Sequence, residues 1–241
     1  MKLVVVTRNP RGIASRFLVR GSVPVEAVLL DESPGPSFGR RVRKLRRVGV
    51  SAVPVGLVLR RAYASAQGEL PHLDELGVRV VRVQKLAGAD ARAVLAGADI
   101  GVSLDSSLIP EETFSVPEHG IVNVHHGAVP AYRGGPPVFW ELADGVQTVG
   151  FTIHRIDAGI DTGPVLARGE LKIERRSTLR KTLAATLPVL HERSLEALEQ
   201  VLLDGVLEGE RQERRGRART TPRLRDYLRV RRALRHYDQR P

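Results

Sequence analysis

The sequence predicts an α/β fold with a mostly parallel central sheet flanked by helices, a β-hairpin and a helical C-terminal extension. Apolar strand-like segments alternate with helical segments through the first half of the chain, which is typical of βαβ units and a parallel sheet. Right-handed crossovers between such strands make the predicted sheet Rossmann-like. Two later segments with alternating polarity, 149–156 and 165–173, predict an antiparallel hairpin. The strand-like segments before this hairpin are 3–6, 25–30, 78–83, 99–104 and 121–124.

The helical segments are located by their apolar periodicity and by residue types that cap helices. A long helix is expected from Ser177, as its N-cap, toward Leu203, and Asp90 is the expected N-cap of a short helix over 90–96. A last helix, 224–234, has one apolar face and is expected to pack back on the domain. The other predicted helices are 13–19, 40–47, 55–66 and 137–144.

Length and composition indicate one substantial domain with an appendage. The chain has 241 residues, of which 42% are hydrophobic. We expect a catalytic domain over 1–205 and a basic extension over 206–241, in which 208–219 is a linker or an exposed hairpin. Since the chain lacks cysteine, a secretory signal pattern and any apolar run near the roughly 20 residues of a membrane span, we expect a cytoplasmic protein without disulfides or membrane association.

The net charge of +11 comes almost entirely from an excess of arginine. Such a charge attracts anionic ligands, and arginine is the better bidentate partner for phosphate. An arginine bias can also reflect genome composition alone. Binding of nucleic acid or another polyanion is therefore kept as an alternative function.

A cluster of polar residues at two predicted strand ends carries the main chemical signal. Asn123 and His125 are two residues apart in a strand and so face the same side, and Asp161 follows the next strand in an Asp/Gly loop. An amide can stabilise an oxyanion, an imidazole can move protons, and a carboxylate can orient that imidazole and raise its pKa. With no cysteine and no serine in a nucleophile elbow, the attacking group is expected to belong to the substrate.

Four sequence blocks in this region resemble the formyltetrahydrofolate-dependent formyltransferase family. They are N-V-H-x-x-x-x-P-x-Y-R-G, W-x-x-x-x-G, G-F-T-I-H-R and D-T-G-P-V, within roughly 103–173. The family includes methionyl-tRNA, glycinamide ribonucleotide and sugar-nucleotide formyltransferases. The resemblance implies that Asn123, His125 and Asp161 are catalytic and that formyltetrahydrofolate donates a formyl group to an amine. The implied mechanism requires no metal.

The resemblance also implies two binding regions around these residues. The loop after the strand 99–104 is expected to hold the folate pterin ring, with the Asp161 loop as the other wall; the candidate folate-binding residues are Leu104, Leu108, Ile109, Asp157 and Ile160. Asp157 could instead cap its own loop. The candidate acceptor-binding residues are Arg8, Asn9, Arg11, His126, Tyr132 and Arg133. All of these except Tyr132 have a structural alternative: a solvated loop for the first three, a structural or rim role for His126, and loop fixation for Arg133.

The expected acceptor is a small primary amine, with an amino-sugar nucleotide preferred. P-x-Y-R-G and G-F-T-I-H-R look more like the sugar-nucleotide enzymes, and the chain leaves no room for the C-terminal β-barrel of methionyl-tRNA formyltransferase. Glycinamide ribonucleotide, methionyl-tRNA and water, the last in a formyltetrahydrofolate hydrolase, stay as alternatives. His154 is expected to be a packing residue on its strand. The sequence leaves the oligomeric state open, because the Leu- and Arg-rich C-terminal region could support a dimer or close the monomer's own core.

Overall fold

A computed structural model describes residues 1–35, 39, 43, 46, 49, 52–66, 68–212 and 218–235. The basic helical segment predicted over 40–47 lies largely outside these residues. The strands are β1 Leu3–Thr7, β2 Ala27–Asp31, β3 Val80–Val83, β4 Ile100–Ser103, β5 Ile121–His125, β6 Thr148–Arg155 and β7 Val165–Lys172. The described helices are α1 Ile13–Arg20, α2 Ala52–Ala64, α3 Ala89–Leu95, α4 Glu111–Phe114, α5 Phe139–Asp144, α6 Leu179–Asp204 and α7 Leu224–Arg235, with a 3-10 helix at Leu73–Glu75.

The seven described strands form one sheet in the order β3-β2-β1-β4-β5-β6-β7. Strands β3, β2, β1, β4 and β5 are parallel to their neighbours, β6 is antiparallel to β5, and β7 is antiparallel to β6. This arrangement confirms the predicted Rossmann-like α/β fold and its hairpin. In the parallel part, the strand order reverses direction between β1 and β4, and ligands commonly bind at the carboxyl ends of the strands beside such a point.

The sheet is covered by helices on both faces. Leu3 and Val5 of β1 pack with α1 and the C-terminal half of α6, whereas Val4 and Val6 pack with α3 on the other face. Strands buried on both faces read as continuous apolar runs, which is why β1 was visible in the sequence. The helix α6 continues through Pro188 and ends at Gly205, which adopts φ of 66°.

Two predicted N-caps are wrong, each by one or two residues. Thr178 rather than Ser177 caps α6, because the Thr178 hydroxyl accepts a hydrogen bond from the Lys181 N–H at 3.2 Å. Gly88 precedes α3, and Asp90 lies within its first turn. An acidic side chain there still stabilises the positive end of the helix dipole. The short helix α4 and the 3-10 helix Leu73–Glu75 were missed because neither is long enough to show a period.

The C-terminal extension is held against the body of the molecule. Val230 and Leu234 of α7 are buried in the same apolar cluster as Phe139 and Leu142 of α5, as the predicted apolar face required. Ahead of α7, Glu210 pairs with Val165 of β7 and Arg219 pairs with Gly134. The described parts of the segment 208–219 therefore contact the edge of the hairpin and the loop after β5. Every helix in the described part of the chain is too short or too polar to cross a bilayer.

Candidate functional site

The carboxyl end of β5 presents Asn123 and His125 on the same side, facing the loop that follows β6. Asp161 in that loop approaches both a histidine of β5 and one of β6. Its Oδ2 lies 3.4 Å from Nδ1 of His125, and its Oδ1 lies 3.4 Å from Nε2 of His154. The side chains of His125, Asp161 and His154 are 11%, 15% and 3% exposed. The fold thus brings the three predicted catalytic residues into one partly buried group.

His154 belongs to this group and was not predicted as a site residue. It lies directly opposite Asn123 in the antiparallel pair of β5 and β6, and its Nε2 is 3.2 Å from Nδ2 of Asn123. Residues directly opposite each other on one face of a sheet contact through their side chains. The pairing register, which the sequence alone does not set, is what places His154 beside Asn123.

Backbone carbonyls determine which ring nitrogens carry protons. Nδ1 of His154 donates to the carbonyl of Arg155 at 2.9 Å, so Nε2 accepts from the Asn123 amide when the ring is neutral and donates to Oδ1 of Asp161 when the ring is protonated. One of the two amide hydrogens of Asn123 is engaged in this way, and the second is free to bind a ligand. Nε2 of His125 donates to the carbonyl of Tyr132 at 2.7 Å. Nδ1 of His125, which faces Asp161, is therefore the atom that takes up and releases a proton.

Burial and hydrogen bonding shift the pKa values of His125 and Asp161. Burial lowers the pKa of His125, and this outweighs the charge of Asp161, which acts in the opposite direction. The charge of Asp161 does raise the pKa of His125, as expected, but it offsets the effect of burial only in part. Burial also raises the pKa of Asp161, but the hydrogen bond from His154, the charge of His125 and the Gly134 N–H together lower it to about 2.

The Asp161 loop is shaped by its own backbone. Asp161 adopts φ of 51°, an uncommon conformation for a residue other than glycine, and its Oδ2 accepts the Gly134 N–H at 2.7 Å. A Cβ at Gly163 would collide with the carbonyl oxygen of Arg155, so this position needs glycine. Oδ1 of Asp157 accepts from the Gly159 N–H at 3.0 Å and from the Thr162 hydroxyl at 2.6 Å, so Asp157 does cap the loop.

A first cavity of about 400 Å³ opens between the loop after β4 and the Asp161 loop. Leu108 and Ile160 are 78% and 46% exposed at this cavity, although both are apolar. Of the predicted folate-binding residues, Leu108, Ile109, Asp157 and Ile160 line it. Leu104 does not, because its side chain is fully buried in the core below the strand end and cannot contact a ligand.

A second cavity of about 480 Å³ lies on the other side of Asn123 and Asp161. The residues that line it come from β5, from α1, α2 and α6, and from the loops after β4, β5 and β6; they are Ile13, Tyr63, Asp105, Ser106, Asn123, Val124, His125, His126, Gly134, Gly135, Pro137, Asp161, Leu187 and His191. Among the described residues, only Ser106, Asn123 and Asp161 line both cavities. The polar group therefore forms the wall between two ligand-sized spaces.

The predicted acceptor-binding residues differ in where they lie. His126 lines the second cavity, and His191 of α6 lies beside it as an unpredicted partner. Tyr132 supplies the carbonyl that binds His125. Arg133 is 6% exposed and donates to the carbonyl of Ile160 at 3.3 Å, so it fixes the two loops together and does not face either cavity.

The three candidates after β1 also lie outside both cavities and contact neighbouring loops. Arg8 donates to the Ser107 hydroxyl and the Ser33 carbonyl. The Asn9 side chain accepts the Arg11 N–H. The Arg11 guanidinium binds the carbonyl of Leu70 and, in an exposed ion pair, Glu75. Among the described residues, no group of three or more histidine, aspartate or glutamate side chains is arranged to hold a metal ion.

The C-terminal extension contributes contacts behind the Asp161 loop that sequence reasoning missed. Gln212 donates to the carbonyls of Asp161 and Gly163 at 3.1 and 2.8 Å. The Arg219 N–H donates to the carbonyl of Arg133 at 2.7 Å, and its guanidinium lies over the rings of Tyr132 and Trp140. A polar segment far along the chain gives no signal of such contacts, because they depend on where the extension folds back.

Residues 97–202 match the family model described as formyl transferase. The match covers less than half of the chain. This segment contains every residue of the polar group and the two other histidines of the second cavity, His126 and His191. Gln212 and Arg219 lie beyond it.

A curated relative matches about half of the chain. The methionyl-tRNA formyltransferase of Deinococcus radiodurans is 37% identical over 132 residues, which is 52% of this chain and 42% of that protein. The chain thus spans less than half the length of this relative.

Solved structures match most of the chain at low identity. An N-formyltransferase from Helicobacter canadensis, in complex with folinic acid and dTDP-3-aminofucose, has a TM-score of 0.60 at 16% identity, covering 98% of this chain and 82% of that one. The glycinamide ribonucleotide transformylase 1 of Symbiobacterium toebii has a TM-score of 0.55 at 18% identity, covering 85% and 88%. At these identities the likeness concerns the fold alone.

Proposed function

We propose that this protein transfers a formyl group from formyltetrahydrofolate to a primary amine of a small substrate. The observation that carries the proposal is the position of Asn123 and Asp161 in the wall between two cavities. A group transfer needs a donor and an acceptor on either side of one reacting centre. A polar group at the boundary of two ligand-sized spaces meets that requirement.

The first cavity suits the folate donor. It combines exposed apolar side chains, Leu108 and Ile160, with the serines and backbone of the loop after β4. A flat heteroaromatic ring needs apolar contacts on its faces and a few hydrogen bonds at its edge. The family match over 97–202 and the folinic acid named in the Helicobacter canadensis complex support the same donor.

Asn123 is the proposed oxyanion donor. As the acceptor nitrogen bonds to the formyl carbon, the formyl oxygen gains negative charge. The second amide hydrogen of Asn123, which His154 leaves free, binds that oxygen. One such donor lowers a barrier by roughly 3 kcal/mol. His154 acts as a positioning residue, because its Nε2 holds the first hydrogen of the same amide.

His125 and Asp161 manage the protons of the reaction. The attacking amine must lose one proton when its bond to carbon forms, and the folate nitrogen must gain one when its bond to the formyl carbon breaks. Nδ1 of His125, unprotonated in the neutral ring and 3.4 Å from Asp161, accepts and returns that proton. The Asp161 carboxylate stays ionised at neutral pH and stabilises the protonated ring. The products are an N-formyl amine and tetrahydrofolate.

An amino sugar carried on a nucleotide is the proposed acceptor class. The Helicobacter canadensis neighbour covers 98% of this chain and its complex holds dTDP-3-aminofucose. Methionyl-tRNA is the second candidate, since the Deinococcus radiodurans relative is 37% identical over 132 residues. That match spans only 42% of the relative, so the parts of that enzyme outside it are not represented.

The test is tetrahydrofolate formation from formyltetrahydrofolate by the purified protein, with and without amines. The panel holds dTDP-3-aminofucose, other amino-sugar nucleotides, glycinamide ribonucleotide and methionyl-tRNA. We expect turnover that depends on an amino-sugar nucleotide. Equal turnover without any amine would indicate a hydrolase, and turnover only with methionyl-tRNA would replace the acceptor class. Absence of turnover together with absence of folate binding would contradict the proposal itself.

A further inference from the structure

Two histidines from distant parts of the chain meet in the second cavity. The rings of His126, which follows β5, and His191 of α6 have centroids 4.8 Å apart, and both side chains line the cavity that also contains Asn123 and His125. Nothing in the proposed proton transfers uses either of them. The two imidazole rings are therefore available to bind a ligand.

The hydrogen bonds of Ser194 determine the tautomer of His126. The Ser194 hydroxyl donates its only hydrogen to the carbonyl of His191 at 2.9 Å, so toward His126 it can only accept. Nε2 of His126, 3.1 Å from that hydroxyl, must then carry the hydrogen. In the neutral ring Nδ1 is left as a hydrogen-bond acceptor. It makes no hydrogen bond to any other described residue.

Both rings are uncharged at neutral pH. Burial and the neighbouring histidines hold the pKa of His126 well below its ordinary value. Burial and the positive charge of Arg16, which outweigh the opposing charge of Glu192, lower the pKa of His191 to about 4. Neutral His191 has one N–H donor and one acceptor nitrogen, and neither bonds to another side chain or backbone group of the described residues. Together the pair offers two acceptors and one donor to a ligand.

The described lining of the second cavity contains no cationic side chain that would bind phosphate. Its described lining contains two aspartates, Asp105 and Asp161, and no lysine or arginine. A phosphate in this space would meet neutral rings and carboxylates, which oppose a second negative charge. An uncharged group with hydroxyls can instead both donate to and accept from the imidazole nitrogens.

We infer that the His126–His191 pair is a subsite for the hydroxyl groups of an uncharged ring that carries the acceptor amine, while phosphates of the acceptor lie outside this cavity. The inference rests on the proposed transfer to an amine and specifies what surrounds that amine. It places the ring hydroxyls at the histidine pair and the amine at Asn123 and His125, since all four residues line one space.

The test compares KM values for dTDP-3-aminofucose and for its 4-deoxy and 2-deoxy analogues. His191→Phe keeps an aromatic ring and removes both nitrogens, and His191→Gln restores a donor and an acceptor. We expect His191→Phe to raise the KM of dTDP-3-aminofucose by roughly three- to tenfold, the effect of one lost neutral hydrogen bond. The KM of formyltetrahydrofolate should change less than twofold, and His191→Gln should recover most of the loss. His119→Phe, an exposed histidine outside both cavities, is the matched control.

The analogues separate a hydroxyl subsite from a merely structural role. If one ring hydroxyl binds the pair, the analogue that lacks it should have the same KM with wild-type protein and with His191→Phe. An equal rise in KM for all three acceptors, or a matching rise for formyltetrahydrofolate, would overturn the inference. If no amine gives turnover, the proposed function fails, and calorimetric binding of dTDP-3-aminofucose in the presence of tetrahydrofolate decides the subsite. Binding to wild-type protein that weakens in His191→Phe supports it; equal or absent binding overturns it.

Discussion

The two cavities share a wall but differ in how they are built. The first cavity is formed by two loops, and its exposed apolar side chains, Leu108 and Ile160, come from residues close to strand ends. The second cavity is formed by the end of β5, three helices and three loops, and it includes the histidine pair. The loop cavity was largely predicted from the sequence, and the helix-lined cavity largely was not. Sequence patterns within single segments thus predicted the cavity that is built mainly from two loops.

The difference also bears on what each space can recognise. The exposed apolar side chains at the first cavity favour binding of a flat ring, but they do not distinguish one flat ring from another. The second cavity offers oriented donors and acceptors, whose directions are fixed by carbonyl and hydroxyl partners. Specificity for the acceptor is expected to come from this second set, because buried polar groups reject a ligand that leaves them unpaired.

Replacing the shared wall should affect catalysis most. Asn123→Ala removes the amide that lines both cavities, and we expect kcat to fall by about a hundredfold to a thousandfold. KM for both substrates should change little, because the amide acts on charge that develops during the reaction. Steady-state kinetics with either substrate varied would check this. A variant with near wild-type kcat and an unchanged melting temperature would remove Asn123 from the reacting centre.

Asp161→Asn should change the pH dependence of stability. The pKa of Asp161 is lowered to about 2, so its ionised form stabilises the folded state above the pKa of the unfolded chain, near 4, and this contribution is lost as the pH falls toward 2. The difference in unfolding free energy between wild-type protein and the variant should therefore shrink by about 2 kcal/mol across that interval. Urea unfolding at several pH values between 7 and 2.5 measures it. A difference that does not depend on pH would contradict the assigned cause.

Changes at the first cavity should affect only the donor. Leu108→Ser and Ile160→Ser each remove apolar surface worth roughly 1–2 kcal/mol when a ring covers it, so the KM of formyltetrahydrofolate should rise about fivefold to thirtyfold. The KM of the acceptor should stay within twofold. Leu203→Ser is the matched control, because Leu203 is 65% exposed near the end of α6 and lines neither cavity. If the acceptor KM rose instead, the assignment of the two cavities would be reversed.

The smallest effect is expected from a change in the C-terminal extension, which supports the Asp161 loop from behind. Gln212→Ala removes the hydrogen bonds to the carbonyls of Asp161 and Gly163, and we expect kcat to fall about threefold because the loop is less well held. Gln200→Ala removes a glutamine of α6 whose amide binds only Asp204, and it should leave kcat unchanged. Equal kcat values for the two variants would mean that the extension does not position Asp161.

The placement of Asn123 shows how much of the site could be predicted from the sequence. Its strand was visible as an apolar run, and the period of two put His125 on the same side. The register between β5 and β6 then added His154 opposite Asn123, which no pattern within either strand predicted. The prediction that Leu104 binds folate was wrong for a related reason. A residue at a strand end can point into the core or into the cavity, and the packing below the strand end places the Leu104 side chain in the core.

By itself, the sequence determined the alternating α/β fold, the hairpin and the chemical type of the polar group, because strand and helix periods and strand-end residues are local properties. The tertiary structure alone decided that Asn123 and Asp161 separate two cavities, that His126 meets His191, and that Gln212 supports the Asp161 loop. These pairs are far apart in the chain. Their contact depends on how α6 and the C-terminal extension pack on the sheet, and packing is set by the shapes of all the surfaces that meet.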